Sequence, residues 1–272
     1  MRQERGIVLS GRLQMLADMV TPGNIPADVG CDHGFLSIYL VEEGICPRAV
    51  AMDVREGPLL AAEKHVRESG LGDYISLRLS DGLAECRAGE ADTLICAGMG
   101  GRLMERILTE GMEKAAGMKE LILQPQSELA QFRAFLRKAG FSVVREEAVL
   151  EEGKFYFAMK AVYGMAAGDR KAGAPEGEGV AVAGKTGPGT GIRGPAEQDT
   201  DLEPARHLYD LYGEKLLLGQ NQVLRQFLEQ REAYLERLSG NLARAGTGKA
   251  DMRLREVCRE QEDVRKALAF YR

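Results

Sequence analysis

The sequence predicts an α/β fold: a doubly wound, seven-stranded sheet ending in an antiparallel C-terminal hairpin, then an α-helical, coiled-coil-like hairpin domain. Three observations carry this. Between residues 9 and 140, five short apolar runs alternate with stretches of helical period, the rhythm of a parallel sheet covered by helices. Then "FSVVREEAVL" (141–150) and "KFYFAMKAVY" (154–163) face each other across "EEGK", a hairpin that adds a reversed edge. Finally, Leu224, Leu228, Arg231, Leu235, Leu238 and Leu242 step by four and three, and Val257, Gln261, Val264, Leu268 and Tyr271 repeat the pattern after "AGTGKA".

The elements follow in order. Leu9–Val20 reads as an amphipathic helix with Ser10 near its start. "IPADVG" (25–30) is a strand running into a glycine turn, Leu36–Glu43 a helix and "AVAMDV" (49–54) a buried strand. Pro58–Ser69 is a helix with proline in its first turn and Gly70 at its end. "ISLRLSD" (75–81), "DTLICA" (92–97) and "ELILQP" (120–125) are strands; Arg102–Glu110 and Glu128–Lys138 are helices. Five βα units precede the hairpin, and such sheets bind ligands beyond the carboxyl ends of their strands.

Composition divides the chain of 272 residues into three segments. Residues 1–163 hold the sheet. Residues 164–203 contain ten glycines and Pro175, Pro188 and Pro195 with almost no large apolar residue, which reads as a flexible linker or insertion. Residues 204–272 hold the helical hairpin. The five cysteines form no CxxC, which argues against structural zinc and a disulfide framework and for a reducing cytoplasm. The N-terminus is charged and no uncharged apolar run approaches membrane length. The net charge of −5 does not advertise nucleic-acid binding, but residues 220–272 carry 11 Lys/Arg against 8 Asp/Glu. A monomer is expected.

"GVAVAGKT" (179–186) fits the phosphate-loop pattern GxxxxGK[ST]. That chemistry needs a strand before the loop and a helix N-terminus after it. Here Gly187 and Pro188 would break any such helix, so no ATP site is expected.

The chemistry concentrates in the first strand–helix turn, "ADVGCDHG" (27–34). Asp28 precedes the turn and Asp32 stands where a dinucleotide-binding GxGxxG carries glycine. Two carboxylates would repel a pyrophosphate and favour a cationic ligand, and S-adenosylmethionine carries both an ammonium and a sulfonium. Asp53 ends the second strand, where an acid takes ribose hydroxyls, and Asp81 ends the third, placed to accept from an adenine amino group. One such aspartate would be an ordinary turn former; three at successive strand ends beside a glycine turn point to a cofactor. His33 follows Asp32 as a candidate catalytic or lining residue, while Cys31 and Cys96 have no histidine placed to activate them. "AGMGG" (97–101) ends the fourth strand with no acid or base, and a strand ending in glycines marks close approach of a ligand or another backbone.

In order along the chain, "LSGRLQMLADMV", "ADVGCDHGFLSIYL", "EGPLLAAEKHVRESGL", "SDGL", "AGMGGRLMERIL", "LILQPQ" and "LEEGKFYFAMKA" resemble the bacterial tRNA (adenine-22-N1)-methyltransferase family over about residues 7–163. "GEKLLLGQNQVLRQFLEQ" (213–230) is more weakly similar to the start of that family's C-terminal helical domain. The resemblance implies a class I methyltransferase that uses S-adenosylmethionine, without metal, to methylate N1 of a tRNA adenine. Candidate cofactor residues are Asp28, Gly30, Cys31, Asp53, Val54, Asp81, Gly82, Ala97, Gly98, Met99 and Gly100; Asp32 and His33 match the family's DH pair beside the methyl donor. Candidate substrate contacts are Arg12, Gly101, Gln124, Pro125 and Gln126, with Arg225, Arg231, Arg253, Arg255 and Arg259 of the helical hairpin for RNA phosphates. The chain departs from the family's "SDHAYLP" as "CDHGFLS", so Phe35 lacks a tyrosine's hydroxyl; Gln126 stands where asparagine is usual, and the glycine-rich tract is longer than the family leads one to expect. A same-fold methyltransferase for another RNA or a small molecule, and an inactive RNA-binding protein, are the alternatives; methylation of total tRNA and binding of the cofactor separate them.

Overall fold

The structure, a computed structural model, describes residues 7–164, 202–245 and 247–272. Nearly all of the predicted linker, and with it the phosphate-loop match at 179–186, lies outside these residues. Five parallel strands, β1 (Pro26–Val29), β2 (Ala49–Asp53), β3 (Ile75–Leu79), β4 (Thr93–Met99) and β5 (Glu120–Pro125), join an antiparallel pair, β6 (Phe141–Glu151) and β7 (Lys154–Tyr163), in the order β3-β2-β1-β4-β5-β7-β6. Every residue of β1, β2 and β5 is buried, because helices cover both faces of the sheet. The hairpin turns on Glu152 and Gly153, both at positive φ (48° and 76°), the backbone of the two-residue turn whose twist matches its strands.

Helix α1 (Gly11–Ala17) is pinned at its start. Ser10 Oγ accepts from Leu13 N at 3.4 Å, and Glu151, at the tip of β6, accepts from Gly11 N at 2.6 Å and Arg12 N at 3.3 Å. The first-turn N–H groups thus find a carboxylate, which the helix dipole also favours. The helix ends at Ala17, short of the predicted Val20, although Met19 and Val20 are still buried. Helices α2 (Phe35–Glu42), α3 (Glu56–Glu68) and α4 (Gly101–Glu110) follow β1, β2 and β4, a short α5 (Met112–Ala116) follows α4, and α6 (Leu129–Lys138) follows β5. The expectation of five βα units needs correction. Residues 80–92 join β3 to β4 through turns, with no helix.

The C-terminal region is more than a hairpin. Helices α7 (Leu202–Tyr212) and α8 (Glu214–Leu218) precede the predicted pair, α9 (Gln222–Ala245) and α10 (Gly248–Leu268). Thr247 caps α10, accepting from Ala250 N. Leu208, Leu216, Leu224, Leu228, Val257 and Val264 share one apolar cluster with Phe157 of β7, so the helices pack against the hairpin edge of the sheet.

Candidate active site

Strand order reverses between β1 and β4, and a cleft of about 480 Å³ opens there beyond the carboxyl ends of the strands. Its size and its place at the switch point are those of a small-molecule site. Of the predicted residues, Arg12, Gly30, Asp32, Asp53, Val54, Asp81, Gly82, Ala97, Gly98 and Met99 line it. Arg55, Ser80, Leu103, Arg106 and Ile107 line it too and escaped the sequence reading. Leu103, Arg106 and Ile107 were legible in one respect: their spacing puts them on one face of α4.

The three acids are held differently. Asp53 is buried, and its carboxylate accepts from Arg55 N at 2.9 Å and Asp32 N at 3.3 Å. Asp32 sits at φ 51°, a left-handed backbone that a non-glycine residue adopts at a cost. Its side chain is 62% exposed, with His33 Nε2 at 3.8 Å. Asp81 takes two hydrogen bonds from Arg106, at 2.8 and 3.1 Å, which hold its carboxyl below the usual range. The cleft is therefore not simply acidic. Arg55 lies near Asp53 and Arg106 on Asp81, while Arg12 stacks over Tyr156 at 5.5 Å with no acid partner among the described residues.

Four glycines explain the loops. A Cβ on Gly30 would stand 2.2 Å from Met99 Cε, so the methionine side chain lies across the first turn. Gly98, at φ +77°, has the Arg12 guanidinium and the Gln126 amide over it, 3.5 and 3.7 Å from where a Cβ would stand. Gly100 abuts Ser127 Oγ. Gly101, a candidate substrate contact, packs on one side against the protein itself. It is buried against the Ser127 carbonyl, 2.7 Å from where its Cβ would be. Another backbone does come close at AGMGG, but at its last glycine that backbone is the protein's own.

Other predicted residues stand behind or beside the cleft. Asp28 is buried with Ser37 Oγ donating to it at 2.8 Å, and burial pushes its pKa up to about 6. Cys31 packs among Ile38, Ala49, Ala51 and Ala62, where desolvation raises its thiol further; Cys96 is likewise pushed up to about 12. Both are inert thiols rather than nucleophiles. Gln124 is 1% exposed and its Oε1 is the one buried side-chain polar atom without a partner among the described residues. Pro125 is buried beside it, and Gln126 is exposed with its N–H donating to Met99 O. His33 lies outside the cleft wall, in contact with Phe35 and His65.

On the helical pair, Arg225 pairs with Glu229 at 2.8 Å and Arg253 with Glu256 at 2.5 Å, each within its own helix. Arg231 ties α9 to Glu260 of α10 at 2.5 Å. Arg255 and Arg259 are exposed, with no ion pair to a described residue.

The sheet order, the switch-point cleft and its acids at successive strand ends define a methyltransferase domain, and residues 9–159 match the family of that description. The relatives narrow the class. Over 164 residues the chain is 40% identical to the tRNA (adenine(22)-N(1))-methyltransferase of Bacillus subtilis, a match spanning 60% of this chain and 67% of that protein. The chain belongs to that family. The crystal structure of the B. subtilis m1A22 tRNA methyltransferase TrmK superposes with a TM-score of 0.73 at 28% identity, over 96% of this chain and 99% of that one. The Streptococcus pneumoniae putative tRNA (m1A22) methyltransferase, solved in complex with S-adenosyl-L-methionine, gives 0.72 at 29% identity over 96% and 100%.

Proposed function

We propose that this protein transfers a methyl group from S-adenosylmethionine to N1 of adenine 22 in tRNA. The observation that carries the reading is the cleft itself: Asp53 and Asp81 at strand ends and Asp32 in the turn after β1 line it, and the loop ending β4 presents glycines and Met99 with no acid or base. An exocyclic amine would need polar groups there to gather its hydrogens. A ring nitrogen with its lone pair already in the plane needs room and alignment instead.

The donor set suits the cofactor. Asp53 keeps acceptor capacity for ribose hydroxyls, Asp81 for an adenine amino group, and the mixed acid lining suits a zwitterion with a sulfonium. When bound, S-adenosylmethionine supplies the electrophilic methyl group. The protein's part is to exclude water, to seat the base against Gly98 and Met99, and to meet the charge that methylation creates. Asp32 is the residue for that last task, by opposing the cation or taking a proton from N6. In bulk water a carboxylate 4 Å from a cation gains only about 1 kcal/mol, against about 4 kcal/mol at an effective dielectric near 20. Asp32 is exposed, so the RNA must cover it for the charge to count. N1 lies on the Watson–Crick edge, so the adenine enters unpaired or flipped. Arg12, Arg255 and Arg259, whose guanidinium groups have no ion pair among the described residues, suit RNA phosphates.

Incubation with labelled methyl donor and total tRNA, followed by mass-spectrometric mapping, tests the reading. The expected product is N1-methyladenosine at position 22; label in protein or small molecules only, or at another nucleotide, overturns it.

A further inference from the structure

Beside the cleft lies a cluster that the reaction above does not use. His33, Phe35 and His65 form a closed triangle of rings with centroids 5.7, 4.7 and 5.8 Å apart, and no pair is tilted by more than 45°. His65 reaches across from α3, its Nδ1 3.0 Å from the His33 carbonyl oxygen. That contact fixes one ring of the cluster by a bond to the backbone of another. The rings remain open to water: Phe35 is 38% exposed and the His33 side chain 49%. Nor does the fold need Phe35, since Leu36, Ile38 and Leu40 supply the buried face of α2. A held set of rings open at least in part to water, two of its three pairs stacked within 26° of parallel, is what a nucleobase stacks on, whatever its sequence.

Asp32 lines the cleft, and His33, its neighbour in sequence, does not. Adjacent Cα atoms are about 3.8 Å apart, so the cluster starts one residue from the cleft wall, a separation that one nucleotide step can bridge. Extruding a base from a helix also strips stacking from its neighbours. A platform beside the pocket replaces what the neighbour loses.

We propose that the His33–Phe35–His65 cluster is the stacking platform for the nucleobase adjacent to the target adenine, resting on the reading of this protein as a tRNA methyltransferase. It makes these rings positioning residues for the RNA, with no role in holding the cofactor. Position 35 also carries the chain's departure from its family's tyrosine. A phenylalanine keeps the ring face and gives up the hydroxyl, which is no loss to stacking.

Two measurements on the full-length protein test the platform. First, a tRNA carrying 2-aminopurine beside the target adenine is mixed with wild-type protein; stacking should quench its fluorescence. Second, Phe35→Leu, Phe35→Trp and His65→Gln are compared in methylation assays and in calorimetry with S-adenosylmethionine. We expect Phe35→Leu to raise the tRNA KM roughly 10-fold or more, the range of one lost base–aromatic stack, with cofactor affinity unchanged and Phe35→Trp restoring it. His65→Gln keeps a donor for the His33 carbonyl while removing a ring, and should fall between. A probe that stays bright on wild-type protein overturns the platform even if a variant fails to fold. So does a Phe35→Leu enzyme with wild-type KM, or quenching that a folded Phe35→Leu retains. Wild-type protein that methylates no tRNA overturns the functional reading, and the platform with it. Methylation without quenching overturns the platform alone.

Discussion

Asp53, at the end of β2, and Glu146, in β6, are almost equally hidden from water, at 3% and 6% exposure. Glu146 is tied to a buried cation. It accepts from Arg133 Nε at 2.8 Å and Lys215 N at 3.0 Å, and Gly213 lies so close that a Cβ there would be 2.6 Å from both oxygens. Arg133 in turn donates to the carbonyls of Asp210 and Leu211, at 3.0 and 3.1 Å, capping the end of α7. Asp53 holds two backbone N–H groups, and its nearest cation is the exposed Arg55 guanidinium at 3.7 Å. Each carboxylate accepts two of the about four hydrogen bonds it could take, but Glu146 is enclosed with a buried guanidinium whereas Asp53 lines the cleft. Burial alone therefore does not separate a structural acid from a ligand-binding one; what the acid faces does, a buried cation for Glu146 and the cleft for Asp53.

The largest expected effect breaks the buried pair. Arg133→Met strands the Glu146 charge, with side-chain exposures in the wild type of 6% and 1%. Removing one partner of such a pair costs about 3–5 kcal/mol, so thermal melting should fall by roughly 10 °C. Arg133→Met with Glu146→Leu should recover most of the loss, since an apolar pair leaves no buried charge. A single variant that melts like wild type would show that the helices do not depend on this tie.

Next comes Asp28, buried like Glu146 but with a single side-chain donor, Ser37. Its pKa rises from the ordinary 3.8 to about 6 in the fold. The folded state thus holds the proton more tightly than the unfolded one. The stabilisation is full below pH 3.8 and is lost as pH rises through about 6, a swing on the order of 3 kcal/mol. Asp28→Asn keeps an acceptor for Ser37 and does not titrate. Chemical denaturation from pH 4 to 7 should therefore show the variant gaining on wild type by about that amount. A constant difference across the range would mean that Asp28 stays charged inside the protein.

Much of this fold was legible because its signals are local. Ser10 at a helix start, the glycine turns and the "EEGK" hairpin each act within a few residues. Helices α5 and α8 were missed because five residues carry too little period to read, and α7 because it begins at the edge of the glycine-rich tract. In the site, the acids were visible as strand-end residues, but their orientation was not. Asp28 shares its strand with Ala27 and Val29, which face one core, and alternation turns it toward Ser37 of α2. Close approach at Gly101 was legible from a glycine at a strand end; that Ser127 is one of its neighbours was not. Arg106 was missed because its partner Asp81 is 25 residues away in sequence.

Asp53→Asn tests the open half of the comparison. The amide still accepts from the backbone but loses the charge and one acceptor. Hydrogen bonds to charged groups contribute about 1.5–3 kcal/mol, so affinity for S-adenosylmethionine should fall roughly 10- to 100-fold in calorimetry. Melting should drop far less than in Arg133→Met. Unchanged affinity would remove Asp53 from the cofactor site.

The smallest effect belongs to Arg106, and it sharpens the comparison most. Its pair with Asp81 is bidentate like that of a structural tie, yet the two side chains are 45% and 53% exposed. Exposed pairs contribute little to stability because water screens them and both side chains lose freedom. Arg106→Ala should therefore leave melting within about 2 °C of wild type. Cofactor affinity is the informative readout. Arg106 donates to both Asp81 oxygens and so orients the carboxylate, yet each oxygen keeps a lone pair for a ligand. On this geometry the arginine is a holder, and its loss should weaken binding a few-fold, less than Asp81→Asn does. The double variant should bind no more weakly than Asp81→Asn alone, because the arginine acts only through the acid. Tighter binding by Arg106→Ala would instead mean that the arginine competes with the cofactor for Asp81, and would place the pair with the structural ties.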